Sequence, residues 1–145
     1  MSSCRREAVI DQPPETVWEL LGDPRRHPEW WPRVIEVRGE RFERGDGYAQ
    51  VTKGPISRQE TTFIVDERDE LKQIKMRCAD TGMYADWRLT EARSSTFLDV
   101  EMGMDPQGVG ERLFDAAAGK LYFRRWLQQS IDGLKAAAEQ SHDDS

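Results

Sequence analysis

"HPEWWPRVIEV", residues 27–37, is where the pattern of the chain changes. Two adjacent tryptophans, Trp30 and Trp31, stand between Pro28 and Pro32 in what reads as a short connector. They are two of only five tryptophans in the chain. An indole is costly to leave in water, so something must be built around this stretch. Before the pair the apolar spacing is helical; from Val34 onward it has a period of two.

Working back from the pair, "RREAVI" (5–10) reads as a short, edge-like strand. "DQPPETVWELL" (11–21) predicts a helix that Asp11 or Gln12 could cap, with Pro14 in its first turn and Glu15 at the positive end of the dipole. Val17, Leu20 and Leu21 give it one apolar face, bordered by Trp18. Gly22-Asp23-Pro24 breaks it. A second helical turn is expected around Arg25–Trp31, ended by Pro32, with His27 in an exposed-looking turn.

Working forward, "VIEVRGERF", "GYAQVTKG", "SRQETTFIVDE", "QIKMRCADT", "ADWRLTEA" and "STFLDVEMGMD" are strand-like segments at hairpin spacing, which predicts an antiparallel meander. Three have a clean phase. Ile74, Met76 and Cys78 alternate with Lys75 and Arg77; Ala85, Trp87 and Leu89 with Asp86 and Arg88; Leu98, Val100, Met102 and Met104 with Asp99 and Glu101. One sheet face is therefore apolar and the other solvated, its carboxylates partnered by Lys75, Arg77 and Arg88. Helical spacing returns over 110–140, with Leu113, Ala117, Leu127, Ile131, Leu134 and Ala138 on one stripe. The order is strand, two short helices, six strands and one long helix: an α+β layout with a seven-stranded antiparallel sheet and the last helix on its apolar face.

The totals bound the function. A chain of 145 residues is one domain's length, and residues 1–145 are expected to form a single domain with an ordered core from about 5 to 140. A net charge of −6, with arginine pairs interleaved among acids, argues against nucleic acid as a partner. Cys4 and Cys78 read as free thiols of a reducing cytoplasm. No apolar leader and no run near the ~20 residues of a membrane span is visible, so a cytoplasmic protein without an integral membrane segment is expected. His27 and His142 are the only histidines. No cluster has metal-ligand spacing and no Gly-rich phosphate loop occurs, so neither a metal nor a cofactor is expected.

The stretch "PPETVWELLGDPRRHPEWWPRVIEV" and the closing "WLQQSIDGLKAAAE", in this element order, resemble the START-like (SRPBCC) superfamily. Within it the nearest group is the polyketide cyclase/dehydrase and lipid transport proteins. The resemblance covers nearly the whole chain, but its specific motifs are confined to the two ends; the middle matches in layout only. It implies a helix-grip fold, a curved sheet wrapped around the last helix with a cavity between them. Trp30 and Trp31 would then plug one end, with Trp31 the candidate for ligand contact. The inner face would be lined by Phe63, Met76, Trp87, Leu98, Val100, Met102, Leu113 and Phe114. That set suits an apolar ligand better than a sugar or nucleotide. Thr61, Thr96 and Tyr48 are candidate polar fixtures.

Lys120 and Arg124 fall on the apolar helix stripe. Either they meet an anionic group of a ligand, or they snorkel to water along the sheet edge. Tyr122 and Trp126, on the opposite flank, are either rim packing or a self-association surface of a homodimer. Three functions stay open: binding or transport of a hydrophobic or aromatic small molecule, lipid- or polyketide-like; a cyclase/aromatase-like enzyme acting on a poly-keto chain; and a protein-interaction module. The enzyme would need a base and an oxyanion partner inside the cavity. The sequence offers only Lys120, Arg124 and scattered hydroxyls for those roles.

Overall fold

Period-two alternation from Val34 to Met104 produces six consecutive strands, and the stretch before them crosses the molecule to reach the first. The computed structural model describes residues 3–53, 57–104 and 117–143, with side chains of the last helix described over 124–140. The elements are β1 (Ser3–Ile10), α1 (Pro14–Leu21), a 3-10 helix (Pro24–Glu29), β2 (Val34–Arg38), β3 (Gly47–Lys53), β4 (Arg58–Asp69), β5 (Gln73–Cys78), β6 (Met83–Ala92), β7 (Ser95–Met104) and α2 (Ala117–Asp143). The part of the expected last helix at 110–116 lies outside the described residues.

The strands form one antiparallel sheet in the order β1-β7-β6-β5-β4-β3-β2. β1 and β2 are therefore opposite edges, and residues 11–33 carry the chain from one to the other. Bulges between Val34 and Glu36 and between Val65 and Glu67 bend the sheet. The second also changes the phase of β4. Arg68 pairs with Ile74 on the inner side, where its guanidinium donates to the Gly22 and Phe42 carbonyls and lies over the Trp18 ring.

The alternation sorts side chains as the sequence suggests. Ile74, Met76, Cys78, Ala85, Trp87, Leu89, Leu98, Val100, Met102 and Met104 are all buried. Opposite them, Arg77 pairs with Asp66, Arg88 with Asp86, and Arg5 with Asp99. From α2, Leu127, Ile131, Leu134 and Ala138 close onto the inner face.

The tryptophan connector is fixed from three sides. Asp23 caps the 3-10 helix by accepting from the Arg25 amide, and both Trp30 and Trp31 amides donate to the His27 carbonyl. The Trp30 indole N–H donates to Leu20 O and the Trp126 indole N–H to Pro32 O. α2 passes the connector at backbone contact: a Cβ on Gly133 would lie 2.2 Å from the Trp30 carbonyl oxygen. The roughly 1 kcal/mol that glycine costs a helix interior is the condition for this approach.

His27 departs from expectation. It is fully buried, not exposed. The 3-10 turn rolls its ring inward, edge-on to both Trp30 and Trp31. Its Nε2–H donates to the Leu21 carbonyl at 2.8 Å, which fixes the tautomer because a carbonyl can only accept. Nδ1 has no partner among the described residues. Burial, opposed weakly by that hydrogen bond, pushes the imidazole pKa down to about 4.

Candidate functional site: a cavity at one end of the sheet

The pairing register places a gradient of polarity along the inner face of β3 and β4. Tyr48 pairs with Phe63, Gln50 with Thr61, and Thr52 with Gln59. The first pair belongs to the core; the next two are polar and face the same way, because side chains two apart share a face. Beside them a cavity of about 200 Å³ opens, lined by Gln50, Thr52, Gln59, Thr61, Phe63, Cys78, Thr81, Met83, Met104 and Trp126. Its floor is apolar: Met83 and Met104 are cross-strand partners, Phe63 stacks on Tyr48, and Trp126 closes the helix side. Its rim is amides and hydroxyls. None of these described lining residues carries a formal charge.

Gln50 is the most constrained polar group of the site, at 1% exposure. Its Nε2 donates to Thr52 Oγ1 at 3.1 Å, and its Oε1 has no hydrogen-bond partner among the described residues. Tyr48, two residues earlier on the same face, is also buried with an unpartnered hydroxyl. Burial above all, and then the neighbouring Cys78, push its pKa up, so it remains a neutral donor.

Of the residues expected at the site, Phe63 and Thr61 line the cavity. Met76, Trp87, Val100 and Met102 are fully buried against their neighbours, as is Leu98. Trp31, 1% exposed, stands one layer behind the cavity. It stacks on Trp30 and on Trp126, with Trp87 edge-on at 5.7 Å. Trp126 is the member of this cluster that reaches the cavity; it is buried, packed at the cavity wall. Thr96 sits beyond the far end, donating to the Gln12 carbonyl. Arg124 is exposed, in a surface hollow with Ser3, Cys4, Arg5 and Arg6 rather than in the cavity lining. Leu113 and Phe114 lie outside the described residues, and so do the side chains of Lys120 and Tyr122.

The sequence reading missed Gln50, Thr52, Gln59 and Thr81. The signal was present in the paired phases Tyr48-x-Gln50-x-Thr52 and Gln59-x-Thr61-x-Phe63, but using it requires the register. A larger hollow, of about 480 Å³, is lined by Gly22, Asp23, Arg25, Glu40, Arg41, Phe42, Glu43 and Arg68. Its charges are of both signs, and Arg68 is already held by two carbonyls. It reads as a surface groove rather than a ligand site. Among the described residues no group of three or more histidine, cysteine or acidic side chains is placed to hold a metal ion. Nor is any helix of those residues long and apolar enough to cross a membrane.

A bent seven-stranded sheet gripping one long helix, with short helices between its first two strands, is the helix-grip fold. The comparisons agree. Residues 1–139 match the family described as polyketide cyclase/dehydrase and lipid transport. The chain belongs to that family. A protein from Nitrosomonas europaea superposes with a TM-score of 0.77 at 17% identity, over 97% of this chain and 96% of that one. The Zhui aromatase/cyclase from a Streptomyces species gives 0.74 at 17%, over 95% and 93%. An AHSA1-like protein from Aeromonas hydrophila gives 0.70 at 15%, over 97% and 94%. At these identities the likeness is one of fold. No curated protein matches the sequence significantly.

Proposed function

We propose that this protein binds a small, neutral, apolar or aromatic molecule, of lipid- or polyketide-like character, in the cavity between β3, β4 and α2. The observation that carries the reading is the lining itself: an apolar floor of Phe63, Cys78, Met83, Met104 and Trp126 under a rim of uncharged amides and hydroxyls. That composition, mostly apolar with a few convergent polar groups, is what small-molecule sites require. The volume suits a ligand of one or two rings, since a cavity of about 150 Å³ accepts benzene. Membership of the polyketide cyclase/dehydrase and lipid transport family, and a shared fold with an aromatase/cyclase, support the same ligand class. Binding is preferred to catalysis because the described lining residues include no histidine, carboxylate, lysine or arginine to move a proton.

The test is a thermal-shift panel of naphthalene, 2-naphthol and medium-chain fatty acids, with native mass spectrometry of the purified protein to detect a carried ligand. A ligand that binds only the folded state stabilises it by about 2.7 kcal/mol at a hundredfold excess over Kd. The two-ring compounds are expected to raise Tm by several degrees. No shift with any member, and no carried mass, would refute the reading.

A further inference from the structure

Resting on the binding reading above, we infer that Gln50 is the specificity-determining residue of the cavity: its carboxamide oxygen accepts a hydrogen bond from a hydroxyl or N–H of the bound molecule. The inference begins with an imbalance. Gln50 lies in the middle of β3, is almost completely buried and faces the cavity. One end of its amide is satisfied by Thr52. The other is buried with no partner among the described residues. A buried acceptor left unmade carries a desolvation cost that a donor in the cavity would remove.

The surroundings favour a neutral donor. Thr61, the cross-strand partner of Gln50, and Thr52 add hydroxyls to the same wall, and the opposite wall is methionine and tryptophan. Tyr48, one pleat away, is buried behind Phe63 and is not part of the described lining, so Gln50 is the buried polar group at the cavity wall. Residues two apart on a strand are separated by about 7 Å. A flat molecule of one or two rings can thus meet Gln50 with a hydroxyl while its body rests on the apolar floor. An apolar cavity with one unpaired acceptor binds a donor-bearing ligand well and rejects the analogue without it, because that analogue leaves the acceptor buried and unpaired.

The experiment compares 2-naphthol with 2-methylnaphthalene at neutral pH, measuring Kd by titration on the wild-type protein and on Gln50→Met. A methyl group is close to a hydroxyl in size and more apolar, so burial alone favours the methyl compound. The wild-type protein is expected to bind 2-naphthol at least tenfold more tightly. In Gln50→Met, which keeps side-chain length and removes the acceptor, the order should become level or reverse. Gln50→Leu, read the same way, guards against one variant that fails to fold. Equal binding of the two compounds by the wild-type protein, or a tenfold preference for 2-naphthol that survives in the variants, would overturn the role of Gln50 and leave the binding reading standing. Failure of both compounds to bind the wild-type protein would overturn the two together.

Discussion

The inner face of the sheet is two surfaces in one. Along β5, β6 and β7 the inward side chains Ile74, Met76, Ala85, Trp87, Leu89, Leu98, Val100 and Met102 are apolar and buried in one core with the tryptophans of the connector and the apolar stripe of α2. Along β3 and β4 the inward positions change within two pleats from Tyr48 and Phe63 to Gln50 and Thr61, then to Thr52 and Gln59. The first surface gives the protein its stability and the second gives it a cavity. The two surfaces meet at the cavity, whose polar lining comes largely from β3 and β4 and whose apolar lining is completed by Cys78, Met83 and Met104 of β5, β6 and β7. The border between the two surfaces is aromatic: Trp126 faces the cavity on one side and stacks on Trp31 on the other.

That division can be broken first at the sealed surface. Trp31→Ala removes the ring that joins Trp30, Trp87, Trp126 and His27. Its loss should destabilise the protein by about 3–5 kcal/mol in chemical denaturation. A loss below about 1 kcal/mol would mean that the cluster is not the closed end described here.

A slightly smaller effect comes from pH. The His27 imidazole titrates near 4 when folded, against an ordinary 6.5. Above pH 6.5 neither state binds the proton and the group contributes nothing. Between 6.5 and 4 only the unfolded chain binds it, so stability falls as pH falls, by about 3 kcal/mol over the window. The lowered pKa of Asp99, held down by Arg5, acts below this window. Urea unfolding from pH 7.5 to 4 should show the slope in the wild-type protein and lose most of it in His27→Gln. The same slope in both proteins would mean that His27 is not the neutral, enclosed group of the connector.

The smallest stability effect is expected at the open surface. Thr61→Val exchanges a hydroxyl for a methyl on a half-buried wall of the cavity. Stability should change by less than about 1 kcal/mol, while the affinity for 2-naphthol changes measurably. A stability loss as large as that of Trp31→Ala would erase the distinction between the two surfaces.

The sequence made the sealed surface legible and the open one illegible for a single physical reason. The inner faces of β5 and β7 are buried in the core, and burial writes an alternation of apolar and polar residues into 74–78 and 98–102. The stripe Leu127, Ile131, Leu134 and Ala138 records the same burial from the helix side. On β3 and β4 the inner face is partly polar, no alternation in apolarity marks it, and only the strand register assigns Gln50 and Thr61 inward. A bulge compounds the problem by bringing Arg68 to the inner side. His27 was hidden by its neighbour, since Pro28 marks a turn without saying which way the ring points. Arg124 shares the periodicity of the stripe yet is exposed, and Trp126 lies outside it yet is buried. The buried arc of α2 is wider than a single stripe because the helix meets both the sheet and the connector.

Methionine methyl groups report on both surfaces at once. Met83 and Met104 line the cavity, whereas Met76 and Met102 are fully buried in the sealed core. With 13C-labelled methionine methyls, titration with 2-naphthol should shift the Met83 and Met104 resonances saturably and leave those of Met76 and Met102 almost unmoved. Larger shifts at Met76 and Met102, or no saturable shift at Met83 and Met104, would contradict a binding cavity at the β3–β4 end of the sheet.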